Sequence, residues 1–278
     1  MGVEGRLVVT AVELRDRDAL ARFLRGRPAV HAYELGDLDD FFWPRTRWLT
    51  WQTDGSVEQV ALLYDEPDPP VLLAFAEGTG SGMDDLLRAV VHDLPRRLYA
   101  HLSPALVEVL APDLVPATVP VAHLKLGLAD ADASVAHADG EAALLGPGDL
   151  PEVEAFYAAA YPGTWFHPRM LETGRYVGIR RRGRLACVAG VHVWSPRWRV
   201  ACLGNVATAP AARGEGLATT ACSRLCEILL ADGIDVISLN VRADNDPAIR
   251  AYEKLGFVRA ADYVEVLLEA AGRGGRVT

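Results

Sequence analysis

Residues 206–225, VATAPAARGEGLATTACSRL, set an arginine and two glycines between an apolar strand-like run and an Ala/Leu-rich helical one. Arg213, Gly214, Glu215 and Gly216 form the turn, and Leu217, Ala218 and Thr219 open the helix. The first N–H groups of a helix lack internal partners and carry partial positive charge. Glycines remove the Cβ that would keep a bulky anion off the backbone, and Arg213 adds a cation. Phosphate binding is the chemistry such a turn supports. It is not a Walker loop, since no Gly-Lys-Ser/Thr follows. Nor is it a dinucleotide fingerprint, which needs a third glycine and a spaced ribose-binding acid. Alone, a turn of this kind is more often an ordinary tight connection than a site.

The surrounding elements decide what the turn is for. Asp149 and Glu152 give a capping-box-like start to a helix carrying Val153, Phe156, Tyr157 and Ala160. The loop YPGTWFHP, 161–168, follows it. Apolar runs at 175–181, 185–194 and 198–208, joined by short turns, predict an antiparallel meander. The helix from about 216 to 231 ends near Gly233, a strand spans 236–241, and a helix starts at Asn245/Asp246 with Pro247 in its first turn. That helix stops at Gly256, and 263–270 reads as a closing strand. The fold class is α+β.

Two spaced signatures now carry a resemblance. Arg213-x-x-Gly216-x-Ala218, after a strand ending Val206-Ala207-Thr208, resembles the acyl-CoA-binding motif of the GNAT acetyltransferase superfamily. Asn245-Asp246-Pro247-Ala248-x-x-x-Tyr252-x-x-x-Gly256-Phe257 is similar to that family's second signature, in the right order and with one strand between. The resemblance covers 141–270 and implies acetyl-CoA as co-substrate, with no metal. It implies that the backbone amides of Arg213 to Ala218, with Thr219 nearby, hold the pyrophosphate. The pantetheine arm would pair with the edge of Val206, Ala207 and Thr208 where that strand splays from 236–241, and Asn245 would help hold the cofactor.

Acyl transfer from a thioester to an amine requires an amine that loses its proton, a stabilised oxyanion and a leaving thiolate. Tyr252 matches the family's general acid; the competing reading is a core tyrosine, since Ala248, Tyr252 and Leu255 share a helical face. A backbone N–H near Val206 would face the oxyanion. The strand 198–208 carries no carboxylate, a departure from family members that use one as base. His192 is the candidate base, by its near-neutral titration, and Asn205 could hold a water. Tyr161, Trp165, Phe166 and His167 are either an aromatic acceptor slot or core plugs.

The segment ADADASVAHADG, 129–140, reads as a linker. It separates a GNAT domain at 141–271, followed by a tail at 272–278, from a first half at 1–128. Helix patterns in that half fall near 15–25, 30–42, 83–94 and 103–111, and strands near 48–53, 59–64, 71–76 and 121–128. This order loosely parallels the second half and predicts a degenerate GNAT-like domain. Gly78, Gly80 and Gly82 could form a turn there, but the motif arginine is absent and Glu77, Asp84 and Asp85 would repel phosphate. The half would cover the acceptor cleft or support a homodimer.

A net charge of −9 argues against nucleic-acid partners. No basic-then-apolar leader or membrane-length apolar run is visible, so the reading is cytoplasmic. Cys187, Cys202, Cys222 and Cys226 lack metal-site spacing and read as reduced core residues. The expected function is acetyl transfer to a primary amine, of a small molecule or a protein, by direct attack in a ternary complex. The rival is a non-catalytic acyl-CoA-binding regulatory module.

Overall fold

A computed structural model describes residues 9–76, 82–138 and 141–271. The first half of the chain runs β1 (Val9–Glu13), α1 (Arg17–Leu24), α2 (Ala32–Asp37), β2 (Thr46–Thr53), β3 (Ser56–Tyr64), β4 (Val71–Ala74) and α3 (Met83–Val90). It continues through β5 (Arg97–Leu102), α4 (Leu106–Leu110), β6 (Leu114–Pro116) and β7 (Val121–Leu128). The second half runs α5 (Ala131–Val135), β8 (Ala143–Leu145), α6 (Leu150–Ala160), β9 (Tyr176–Arg181), β10 (Arg184–Ser195) and β11 (Val200–Thr208). Then come α7 (Leu217–Ala231), β12 (Val236–Arg242), α8 (Asp246–Lys254) and β13 (Phe257–Ala270). The fold is α+β, as the sequence predicts.

The chain divides into two compact units. The first comprises the described parts of Met1–Arg27, Asp40–His123 and Asp262–Thr278; the second comprises Pro28–Asp39 and Leu124–Ala261. In the first, β1 to β4 pair antiparallel in sequence, and β4 lies parallel to β5. A parallel pair needs a crossover, and α3 supplies it. β5 then pairs with Val264–Glu269 of β13, which also carries β6.

The second unit repeats the scheme. β8 to β11 pair antiparallel, β11 lies parallel to β12 across the α7 crossover, and β7 lies beside β12. The strand beyond β5 thus comes from the end of the chain, and the strand beyond β12 from the end of the first half. Helix α2 also belongs to the second unit, where a Cβ on Gly36 would stand 1.9 Å from Val193 Cγ1. Each unit keeps its own core. Leu86, Leu87, Leu98, Ala100 and Leu268 close the first, and Val153, Val177, Val188, Leu203, Leu225 and Leu229 the second.

Several local readings shift. Asp149 does not close a capping box with the first turn of α6: its Oδ2 accepts from Gly146 N–H at 2.9 Å, and it joins Glu152 in holding Arg180. The segment 129–138 is not structureless, since Asp130 caps α5, whose Ser134 carbonyl accepts from Ser223 Oγ of α7 at 2.6 Å. Helix α2 is shorter than its pattern, and β1, β5, β6 and β8 carry too few apolar residues in too short a run to announce themselves. The tail 272–278 and the turn at 77–81, with Gly78 and Gly80, lie outside the described residues.

Candidate active site

Strand β11 stays paired with β10 to its end, through Val188↔Ala207 and Cys187↔Thr208. Among the described residues its parallel pairing with β12 ends earlier, at Leu203↔Leu239. Val206, Ala207 and Thr208 therefore lie beyond the last β12 pair, and the two strands part there. Two bulges set the parting. Between Val188↔Ala207 and Gly190↔Gly204 the extra residue is on β11; between Val191↔Leu203 and Val193↔Cys202 it is His192 on β10. Bulges re-aim side chains next to functional sites.

Asn205 sits in the first bulge with φ +53°, a conformation asparagine tolerates better than most residues. It is buried, and every polar group of its side chain is used. Its Oδ1 accepts from Thr164 Oγ1 at 2.8 Å and meets His192 Nε2 at 3.0 Å. Its Nδ2 donates to Tyr176 Oη at 2.9 Å, and its carbonyl accepts from Tyr157 Oη at 2.6 Å. Burial pushes both phenols up, so each stays a neutral donor. His192 lies flat over Gly204, where a Cβ would come within 2.3 Å of its Cδ2; this is why the strand reads Leu-Gly-Asn.

The motif turn follows β11. A 3-10 turn at Pro210–Ala212 leads to Arg213, whose Nε–H points at Thr208 O from 3.4 Å. Gly216, at φ +80°, is the N-cap of the 15-residue α7 and offers no side-chain cap. The N–H groups of Leu217, Ala218 and Thr219 are thus left for an outside acceptor. A Cβ at Gly214 or Gly216 would meet nothing within 4 Å, and no acidic residue occupies the first turn. Glu215, exposed, lies 3.7 Å from Arg181. The turn is open, cationic on one side and lined by free donors, which fits a pyrophosphate. Among the described residues no cluster of His, Cys, Asp and Glu could hold a metal ion.

Residues 149–257 match the profile of the Acetyltransferase (GNAT) family. Over these residues the chain carries a GNAT acetyltransferase domain. Solved structures extend the likeness over both halves. A protein of Novosphingobium aromaticivorans described as a GNAT acetyltransferase shares 26% identity over 73% of this chain and 84% of its own, at a TM-score of 0.50. A GNAT-family acetyltransferase from Colwellia psychrerythraea shares 13% identity, covering 94% of this chain and 99% of its own, at a TM-score of 0.54. A tandem GNAT protein from the clavulanic acid biosynthesis pathway shares 16%, covering 96% and 100%, at 0.54. At those last two identities the likeness is one of fold. A comparison with curated protein sequences found no match.

Within the GNAT domain the other expected residues separate. Tyr252 on α8 is almost wholly buried and packs edge-on against Phe257, with no hydrogen bond to its hydroxyl among the described residues. Burial, with Cys222, Cys187 and Tyr161 nearby, pushes its phenol well above the ordinary range. Asn245 caps α8, its Oδ1 accepting from Ala248 N–H at 3.3 Å. Trp165, exposed, stands edge-on to His192 at 6.0 Å between ring centres, and Tyr161 is exposed as well. Phe166 instead packs between Tyr157 and Tyr176, and His167 Nδ1 accepts from Arg169 N–H. The four cysteines are buried and free, the Cys187 thiol pushed up to about 11 and Cys202 and Cys226 to about 12 by burial.

The sequence does not reveal Tyr33, whose Oη lies 3.1 Å from His192 Nδ1 across 159 residues of chain. Thr164 and Tyr157 were visible only as loop and helix residues, because their role depends on the carbonyl and amide that Asn205 turns toward them.

Proposed function

We propose that the chain is an acetyl-CoA-dependent N-acyltransferase acting on a primary amine by direct attack in a ternary complex, with residues 141–271 as its acyltransferase domain and the first 128 as a degenerate counterpart. The observation that carries this reading is the parting of β11 from β12 beside the open turn at Gly214–Gly216. In it, the amides from Arg213 to Ala218, with Thr219, hold the pyrophosphate, and Asn245 supports the cofactor from the next helix. The edge of Val206, Ala207 and Thr208 takes the pantetheine arm. Acetyl-CoA supplies the activated acyl group.

The chain's own residues move the protons. His192 receives the amine's proton, an N–H of the bulged strand near Val206 donates to the developing oxyanion, and Tyr252 donates to the departing sulfur. Trp165 and Tyr161 form the exposed aromatic wall where the acceptor arrives. One observation favours an acyl-CoA-binding regulatory module instead: no carboxylate stands on β11. Calorimetric titration with acetyl-CoA and CoA, followed by a thiol-release screen over an amine panel, separates them. Micromolar binding with release on an amine supports the enzyme, binding without release supports the module, and no binding defeats both.

A further inference from the structure

The hydrogen bonds around Asn205 fix how His192 is protonated, and this redirects the path by which it can accept a proton. Tyr176 Oη has one hydrogen, which faces Val191 O at 3.2 Å and Met170 Sδ at 3.3 Å, neither of which can donate. With that hydrogen on Val191 O, Tyr176 accepts from Asn205 Nδ2 at 2.9 Å, which puts Oδ1 on the His192 side. A carbonyl oxygen only accepts. His192 Nε2 thus carries a hydrogen, and the ring's lone pair is at Nδ1, under the hydroxyl of Tyr33.

We infer that Tyr33 of α2 is the relay through which the acceptor amine's proton reaches His192. This rests on the acyltransferase reading and names the route its base uses. The acceptor ammonium gives a proton to Tyr33 Oη while the phenolic proton passes to His192 Nδ1. One N–H bond breaks and one forms, Tyr33 ends as it began, and the amine is left neutral for attack. The imidazolium keeps Nε2–H on Asn205 Oδ1, a charge-assisted hydrogen bond that stabilises the new charge.

Three features support the route. Tyr33 is half-buried while His192 lies over Gly204, the first residue past the last β11–β12 pair, so the relay stands where the strands open. Trp165, itself exposed, stands edge-on to the same imidazole. Lys125, 1% exposed, holds its Nζ 5.3 Å from the centre of the Tyr33 ring, and a cation there favours the negative charge that passes through the phenol oxygen during transfer. The charged groups around α2 are its N-cap His31, paired with Glu34 at 3.0 Å, Asp37, which burial and the Glu34 charge raise well above the carboxylate range, and Lys125, whose charge also acts on Glu34. The relay also assigns a role to a helix that the first half of the sequence lends to the GNAT unit.

The test uses the full chain, acetyl-CoA and whichever panel amine releases CoA fastest, with Tyr33→Phe, His192→Gln and the double variant. Each single change should lower kcat about 100-fold, a typical general-base contribution, with KM for acetyl-CoA unchanged. The double variant should be no slower than either, as for two parts of one relay. In Y33F the acidic limb of kcat/KM should rise to the amine's own pKa instead of levelling at that of His192. Nitrogen NMR of labelled histidine adds a readout that needs no acceptor: His192 should be the Nε2–H tautomer, with its Nδ1 signal shifted by Y33F. An Nδ1–H tautomer, or an unmoved signal, overturns the relay. So does wild-type kcat in Y33F when H192Q is slow, which would leave His192 acting alone. No turnover by wild type on any amine defeats the acyltransferase reading and the relay with it, whereas an Nδ1–H tautomer with turnover intact defeats the relay alone.

Discussion

The two units each place a crossover helix between two parallel strands and differ most at that seam. In the first, β4 pairs with β5 along its whole length, from Val71↔Tyr99 to Ala74↔Leu102. The zipper continues past the strand end through Ser103 N–H to Ala74 O and Ala76 N–H to Ser103 Oγ. In the second, β11 leaves β12 after Leu203↔Leu239. The helices that follow begin alike: Gly82 and Gly216 are both left-handed N-caps, at φ +88° and +80°. Yet a Cβ at Gly82 would stand 2.7 Å from the Trp51 indole, while one at Gly216 meets open space. Asp84 and Asp85 fill the first turn of α3, and α7 has no acid there. A shared backbone is therefore no sign of a shared site. The closed seam, the indole and the two acids each deny an anion the place that the second unit leaves open.

The sharpest way to break this contrast is to charge the open turn. Gly216→Glu should weaken CoA binding more than about 100-fold by calorimetry, because it strains a left-handed position and sets a carboxylate at the free amides. Unchanged affinity would mean that the turn holds no phosphate. Next in size, Tyr252→Phe should lower turnover at least ~10-fold with CoA affinity little altered; equal turnover would leave Tyr252 a packing residue.

Gly82→Ala tests the closed unit. The methyl must displace Trp51 at a positive φ, so we expect a loss of about 1–3 kcal/mol in stability, seen by denaturant melts, with CoA binding untouched. Weakened binding with intact stability would place a ligand in the first unit after all.

The smallest effects oppose one another in pH. In the first unit Glu265 accepts from Tyr99 and Tyr263, each at 2.7 Å, with His101 and His123 at 3.7 Å. Burial alone would raise its carboxyl; His101, His123 and the two phenols bring it below the ordinary value. Its contribution is present above the unfolded pKa and lost as pH falls through the folded one. Glu265→Gln should cost about 1–3 kcal/mol near neutrality and progressively less in acid. In the second unit burial, and then the Glu34 charge, pushes Asp37 well above the carboxylate range. That contribution is full below the unfolded pKa and lost as pH rises through the folded one. Asp37→Asn should therefore remove a decline in melting temperature that wild type shows on raising the pH from mild acid. Parallel curves would show that Asp37 ionises freely.

Much of the GNAT half was legible because its signals are local. Gly214 and Gly216 announce a turn without Cβ atoms, Pro247 after Asn245 starts a helix, and β9 to β11 are long apolar runs. The first half was less so. β1 and β5 are short and mix apolar with charged residues, and α2 covers only the middle of its helical pattern. They owe their form to neighbours in the sheet and core rather than to propensity.

By itself, then, the sequence determined the two signatures, the order of most elements between them and the absence of the motif arginine from the first half, since all are written within a few turns of chain. Only the tertiary structure decided that β11 parts from β12 while β4 stays zipped to β5, because strand pairing is a property of two segments and not of one. Only it decided, too, that Tyr33 reaches His192 and that Asn205 orients the imidazole, since a hydrogen bond across 159 residues leaves no period or spacing to read.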